Sequence, residues 1–254
     1  MYSFDAKKVK NDLVKWLRKY YDNDGNLLNA VIGCSGGKDS SVVLAALSQA
    51  IGPDRIYAIL MPNGTQQDIK DSYRVCEQCG VVPRVCNISD AYRGVLASIG
   101  GECEITETTT INLAPVIRMA TLKAISQSVN GRFTCNGNLS ERYVGYFTLD
   151  GDDRGAIKPL ANLTATEVKA IGYELGLPKE FIEKAPSDGL CGKTDEDNLG
   201  FTYEVLDNYI RTGICDDPST KARIDELHRK NLFKLEPMPC FGYNGPILGG
   251  NNHE

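Results

Sequence analysis

Apolar and polar positions follow two periods along the first half of the chain. Val9, Leu13, Trp16, Leu17 and Tyr20 recur at the spacing of one helix face, so the chain is predicted to open with an amphipathic helix. A short apolar run from Asn29 to Gly33 predicts a buried strand, followed by a helix from about Ser40 to Ala50. The alternation continues with a strand from Arg55 to Met61, a helix from Asp68 to Gly80 and a strand from Val81 to Ile88. A short helix from Ala91 to Ser98, a long one from about Asn112 to Val129 and a strand from Arg132 to Asn136 complete it. Pro115 carries no amide hydrogen and is expected in the first turn of the long helix. Strands that alternate with helices pair in parallel, so the expected fold class is α/β, a doubly wound, mostly parallel sheet flanked by helices.

Beyond residue 136 the pattern changes. Gly145 to Gly155 is rich in glycine and aspartate and reads as a loop. Thr164 to Leu175 reads as a helix, opened by Thr164 with Glu167 three residues on, the spacing of a capping box. Pro186 to Lys193 reads as a second loop, and helices are expected over Thr194 to Thr212 and Lys221 to Lys230. One unit over residues 1–240, with a flexible tail over 241–254, is the expected organisation.

Charge and cysteine content narrow the classes. The formal net charge of -5 and the absence of any block of like charge argue against a grip on nucleic acid through its phosphates. No apolar run approaches the ~20 residues of a membrane span, and Met1-Tyr2-Ser3-Phe4-Asp5 lacks the layout of a signal peptide. A cytoplasmic protein with neither nucleic acid nor membrane as partner is expected. The nine cysteines, an odd number, read as reduced thiols. Cys76 and Cys79 form a C-x-x-C, but no further Cys or His pair completes a metal-site spacing. They are expected as buried thiols in a helix that Gly80 terminates. His228 and His253 are too few, and too late in the chain, for a catalytic cluster.

The most informative chemistry lies where the first strand meets the following helix, Gly33-Cys34-Ser35-Gly36-Gly37-Lys38-Asp39-Ser40-Ser41. Gly36 and Gly37 let backbone approach a bound group closely. The serines offer hydroxyls, and the amides that open the helix attract an anion. Asp39 would repel phosphate unless a metal ion stood between them, so the turn suits a polyphosphate with magnesium. It is not a Walker A loop: Asp39 follows Lys38 where Ser or Thr is required. Ser-Gly-Gly-x-Asp-Ser resembles the pyrophosphate loop of the ATP pyrophosphatase superfamily, whose members cleave ATP between the α and β phosphates.

Later segments extend the likeness. Asn138-Leu139-Ser140-Glu141, Gly145-Tyr146-Phe147-Thr148, the stretch Lys184 to Gly200 and Thr202-Tyr203-x-x-Leu206-Asp207-x-Tyr209-Ile210 follow in order. With these the chain resembles the NAD synthetases, from the opening helix to about residue 240. The resemblance implies an adenine-nucleotide alpha-hydrolase-like fold and a ligase in which ATP adenylates the carboxylate of deamido-NAD. Ammonia then displaces AMP to leave the amide. Carried over by position, Asp39 and Glu141 would be the magnesium carboxylates. Ser35, Gly36, Gly37, Lys38, Asp39, Ser40, Ser41, Asn136 and Ser187 would surround ATP, and Arg118, Lys158 and Lys234 the acceptor. Asp152 falls in the loop near the incoming ammonia, where it could orient ammonium and accept its proton. The resemblance also implies a homodimer, with the helices over Asn112 to Val129 and Thr194 to Thr212 as interface elements. No stretch within these residues could house a glutaminase, so free ammonia is the expected nitrogen donor.

Several positions depart from that pattern. Val116 and Leu149 stand where basic residues are usual, Ala156 replaces an aspartate and Ala165 a lysine, and Phe233 replaces the histidine of a His-Lys pair. Asn136 stands where a threonine is usual. The adenylating machinery is retained while the grip on the dinucleotide is altered. Two alternatives therefore stand beside the leading reading: a related ATP pyrophosphatase that adenylates a different carboxylate, and a non-catalytic nucleotide-binding relative.

Overall fold

The carboxyl end of one central strand positions the site, and its two apolar faces explain why helices cover both sides of the sheet. A computed structural model describes residues 2–22, 25–66, 68–184, 194–243 and 245. Four strands, β1 (Asn29–Gly33), β2 (Ile56–Leu60), β3 (Pro83–Val85) and β4 (Gly131–Phe133), form a parallel sheet in the order β3-β2-β1-β4. Val31 of β1 lies opposite Tyr57 on one side and Phe133 on the other. Ala30 and Ile32 face one apolar cluster, and Val31 faces a second. That alternation is the period of two that every strand imposes.

The first cluster holds α1 (Ala6–Tyr21), α2 (Lys38–Ile51) and α7 (Ala165–Glu174), through Leu17, Leu44, Leu47 and Ile171 among others. The second holds α5 (Glu107–Ser128), through Ala114, Ile117 and Leu122. Helices on both faces make the sheet doubly wound, as the strand-helix alternation predicts. A third cluster joins α6 (Leu139–Val144), α9 (Asp195–Leu199), α10 (Tyr203–Thr212) and α11 (Pro218–Asn231) around Val144, Phe201, Leu206 and Ile224. The remaining helices are α3 (Ile69–Gln78), α4 (Ser89–Ile99) and α8 (Lys179–Ile182).

β1 matches its expected span. α3 ends as expected at Gly80, whose φ of +69° is the left-handed turn of a helix stop. The amide of Gly80 donates to the Glu77 carbonyl (3.0 Å) and that of Val81 to the Cys76 carbonyl (2.9 Å). The capping box at α7 is also present, the Thr164 amide donating to Glu167 Oε2 at 2.8 Å.

Other expectations are corrected. The buried face of α1 runs through Leu13, Leu17 and Tyr21, which leaves Trp16 44% exposed. β3 is only Pro83–Val85, because Pro83 cannot donate at the sheet edge and Val82 faces solvent. Pro115 lies two turns inside α5, not in its first turn. Thr106 caps that helix by accepting from the Thr109 amide at 3.2 Å, so it begins before the proline. The helix expected over Thr194 to Thr212 breaks at Gly200, where φ is +86°, and Thr194 and Thr202 cap the two pieces separately. α6 and α8 are too short to show periodicity in sequence. The loop expected over Pro186 to Lys193, with Ser187, lies outside the described residues, as does most of the expected tail.

Leu17 is fully buried between α1 and α2. Leu17→Ala is expected to lower unfolding free energy in urea by about 2–5 kcal/mol, and a loss below about 1 kcal/mol would show that α1 is not anchored there.

Candidate active site

The turn leaving β1 is shaped by its own serines. Gly36 has φ +76°, and a Cβ there would sit 2.8 Å from the Ser72 amide nitrogen of α3, so only glycine fits. Ser40 and Ser41 donate their hydroxyls to the Gly37 carbonyl at 3.0 and 2.7 Å. Ser35 Oγ accepts from the Gly37 amide at 3.2 Å. The serine side chains thus brace the loop. The amides of the first turn of α2 have no helical acceptor and remain for an anion, with the positive end of the helix dipole behind them.

Across the sheet, the chain leaving β4 locks onto this turn. Asn136 Nδ2 donates to the Gly33 carbonyl at 3.1 Å, and Thr134 Oγ1 donates to Asn136 Oδ1 at 2.8 Å. Asn136 therefore sits at the mouth of β1, beside the loop. Asn138 then caps α6. Its Oδ1 accepts from the Glu141 amide, its own amide donates to Glu141 Oε2, and its Nδ2 donates to Asp39 Oδ1, each at 3.1 Å. One buried residue thus holds both carboxylates, Asp39 through its side chain and Glu141 through its backbone amide.

The electrostatics record that proximity. Burial, followed by the Asp39 charge, holds the Glu141 carboxyl well above the usual carboxylate range, with the Lys38 ammonium working against both. Lys38 Nζ lies 2.7 Å from Asp39 Oδ1. Asp195, at the start of α9, adds a further negative charge, and the Tyr203 hydroxyl lies 3.3 Å from its Oδ2. Burial and these three carboxylates push the Tyr203 phenol far up.

A second group of residues lies along the loop after α6. The Thr148 amide donates to Asp152 Oδ1 at 2.8 Å, and the Cys135 thiol donates to the Asp152 carbonyl at 3.2 Å. Asp152 remains open to solvent, yet crowding by protein, and the charge of Asp153, raise its carboxyl above the ordinary range. Asp153 is buried, and Lys158 Nζ lies 3.9 Å from its Oδ2. Arg118 donates Nε to the Met61 carbonyl at 3.0 Å; burial lowers its guanidinium pKa while the Asp152 charge opposes the shift. Lys234 donates to the carbonyls of Gly145 (2.8 Å) and Phe147 (3.0 Å), so its ammonium fastens this loop.

The departing positions fall into two groups. Leu149 is 39% and Phe233 59% exposed, and Ala156 is exposed as well. Ala165 is buried in the third cluster, its amide donating to Ser140 Oγ at 2.9 Å. Val116 is half-buried on α5.

Sequence reasoning gave no role to Asn138, Ser140, Asp195 or Asp207. The buried Asp207 carboxylate accepts from the Ser140 hydroxyl and, at 2.8 Å, from the Thr166 amide, tying α6 to the start of α7. The Asn-x-x-Glu spacing at 138–141 was the available signal for Asn138, because it is that of a capping box. Asp207 has no comparable local signature.

A doubly wound parallel sheet with this turn at the mouth of its inner strand has the adenine-nucleotide alpha-hydrolase-like fold. The family model described as NAD synthase matches residues 9–238. An NH(3)-dependent NAD(+) synthetase of Methanocaldococcus jannaschii is 33% identical over 98% of this chain and 94% of its own. One from Finegoldia magna is 35% identical over 93% and 97%. Among solved structures, an NMN synthetase from Francisella tularensis superposes with a TM-score of 0.86 at 31% identity, covering 95% of this chain and all of its own. An NH3-dependent NAD synthetase from Campylobacter jejuni gives 0.76 at 25% identity, over 94% of this chain and all of its own. The chain belongs to the NAD synthase family, and is a ligase that forms a carbon–nitrogen bond at the expense of ATP.

Gly36→Ala is expected to leave the fold intact, at a stability cost of roughly 1–3 kcal/mol for the strained backbone. Its ATP affinity should fall at least about tenfold, since about 1.4 kcal/mol of displaced phosphate contact suffices. Isothermal titration with ATP gives the answer, and unchanged affinity would show that the loop does not hold phosphate.

Proposed function

We propose that the chain amidates deamido-NAD with ammonia to give NAD, releasing AMP and pyrophosphate. The observation that carries this reading is the Asn138 clamp, which presents Asp39 and Glu141 together beside the anion-binding turn of α2 in a member of the NAD synthase family. A carboxylate does not exchange its oxygen for nitrogen at neutral pH, because oxide is a poor leaving group. In the first step a carboxylate oxygen of the acceptor attacks the α-phosphorus of ATP, and the bond to the bridging oxygen breaks with loss of pyrophosphate. In the second, ammonia attacks the acyl carbon, AMP departs, and the surplus proton passes to a base. Asp152, open to solvent with a raised carboxyl, suits both the holding of ammonium and the taking of that proton.

Magnesium fits the donor set. Glu141 and Asp39 repel each other in a buried setting, which a divalent cation between them would relieve. Among the described residues no three acidic, His or Cys side chains enclose an ion by themselves. Magnesium commonly takes one or two carboxylates and completes its shell with phosphate and water. When bound it would offset negative charge between the carboxylates and the triphosphate. The amides of α2 position the phosphates, and Asn136 fixes the strand end from which they project. Ser187 belongs to this reading as a further ATP contact. Arg118 and Lys158 lie on the acceptor side of the same reading.

A second acceptor is favoured by one observation. Where basic residues and a histidine are usual in the family, Leu149 and Phe233 present exposed uncharged surfaces, and the Lys234 ammonium donates to loop carbonyls. An acceptor with fewer phosphates suits such a rim. The carboxylate counterpart of NMN carries the same pyridine acid with one phosphate, and the Francisella tularensis neighbour is an NMN synthetase. The reading also includes one unit over residues 1–240, a cytoplasmic setting and a homodimer with α5 at the interface, where Ile111 is exposed. A monomer mass in sedimentation equilibrium would remove the dimer.

Purified protein supplied with ATP, magnesium and ammonium is expected to convert deamido-NAD to NAD with stoichiometric AMP. Higher kcat/KM with the mononucleotide acid would establish the second acceptor, and no AMP with either would refute both. Asp39→Asn should cut turnover on the order of 10²-fold or more while the far-ultraviolet circular dichroism holds. Asp152→Asn should lower kcat/KM for ammonium on the order of 10²-fold and leave the KM for ATP unchanged; equal losses for both substrates would remove its assigned role.

A further inference from the structure

Lys38 stands in a position that burial and helix electrostatics both disfavour. It opens α2, where the helix dipole presents its positive end, and it is only 6% exposed. A cation there is repelled by the dipole and loses its hydration. Its Nζ is instead compensated by Asp39, at 2.7 Å from Oδ1. The same Asp39 oxygen also accepts from Asn138, whose cap holds Glu141. The ammonium therefore lies against Asp39 and acts on the Glu141 charge, beside the space assigned above to a divalent cation.

Resting on that assignment, we propose that Lys38 is a built-in stand-in for the divalent cation. It offsets part of the negative charge of the carboxylate pair in the nucleotide-free protein and passes to a phosphate oxygen when the cation and ATP arrive together. The ammonium and a divalent cation repel each other in this space even with Asp195 nearby, and the triphosphate supplies the anion that draws the ammonium away. The lysine stem is flexible, and its ammonium is a compact donor suited to phosphate. The free cation alone is then refused, and cation binding is thermodynamically coupled to nucleotide binding.

Mn2+ serves as the probe, read by electron paramagnetic resonance or titration calorimetry. In the absence of nucleotide, Lys38→Met and Lys38→Gln should each bind Mn2+ at least ten times more tightly than the wild-type protein, while Lys38→Arg stays at the wild-type value. Circular dichroism selects the folded variants, and two neutral replacements guard against one that fails to fold. With ATP present, all four proteins should bind Mn2+, and the advantage of the neutral variants should vanish. Equal Mn2+ affinity in wild-type protein and the neutral variants without nucleotide overturns the proposal and leaves the assignment of Asp39 and Glu141 intact. Failure of every protein to bind Mn2+ even with ATP overturns that assignment and the proposal with it.

Discussion

The contacts of Asn138 are the interaction on which the site depends. Its side chain accepts from Glu141 and donates to Asp39, while its backbone amide donates to the Glu141 carboxylate. Two carboxylates that repel each other are thereby held by one residue that neither ionises nor titrates. Each bond also serves a structural need: a helix cap at α6 and a hydrogen bond for the half-buried Asp39. Hydrogen bonds to charged groups are stronger than neutral ones, so the clamp resists the repulsion it creates.

Everything further out keeps that clamp in register. Asn136 ties the chain after β4 to the end of β1. Ser140 and Asp207 fix α6 against the start of α7, and α7 packs with α2 in the first apolar cluster. The loop after α6 is held differently. Lys234 fastens the loop of residues 145–147 from the far end of the chain.

Much of this was legible in the chain. The order of strands and helices up to β4 follows from periodicity, because a central strand must be apolar on both faces and Ala30, Val31 and Ile32 are. The turn at 35–41 was legible because its residue types have few other uses together. Pro115 misled, since a threonine cap upstream decided where α5 begins. The break at Gly200 was missed because apolar periodicity carries across a single left-handed residue. The role of Asp207 could not be read, although it stands in the motif at 202–210. Its partners, Ser140 and Thr166, are remote in sequence, and only the packing of three helices brings them to one carboxylate.

The sheet order has a temporal consequence. β1 finds its first neighbour, β2, soon after it is made, but its other edge must wait for β4, whose pairing joins Asn29 to Gly131. During synthesis, which proceeds from the N-terminus, the strand that carries the glycine-serine turn keeps one edge of unpaired backbone groups until α5 and β4 have left the ribosome. An open apolar edge invites pairing with other chains. The glycine-serine turn is therefore among the first parts of the protein to be synthesised and among the last to be enclosed.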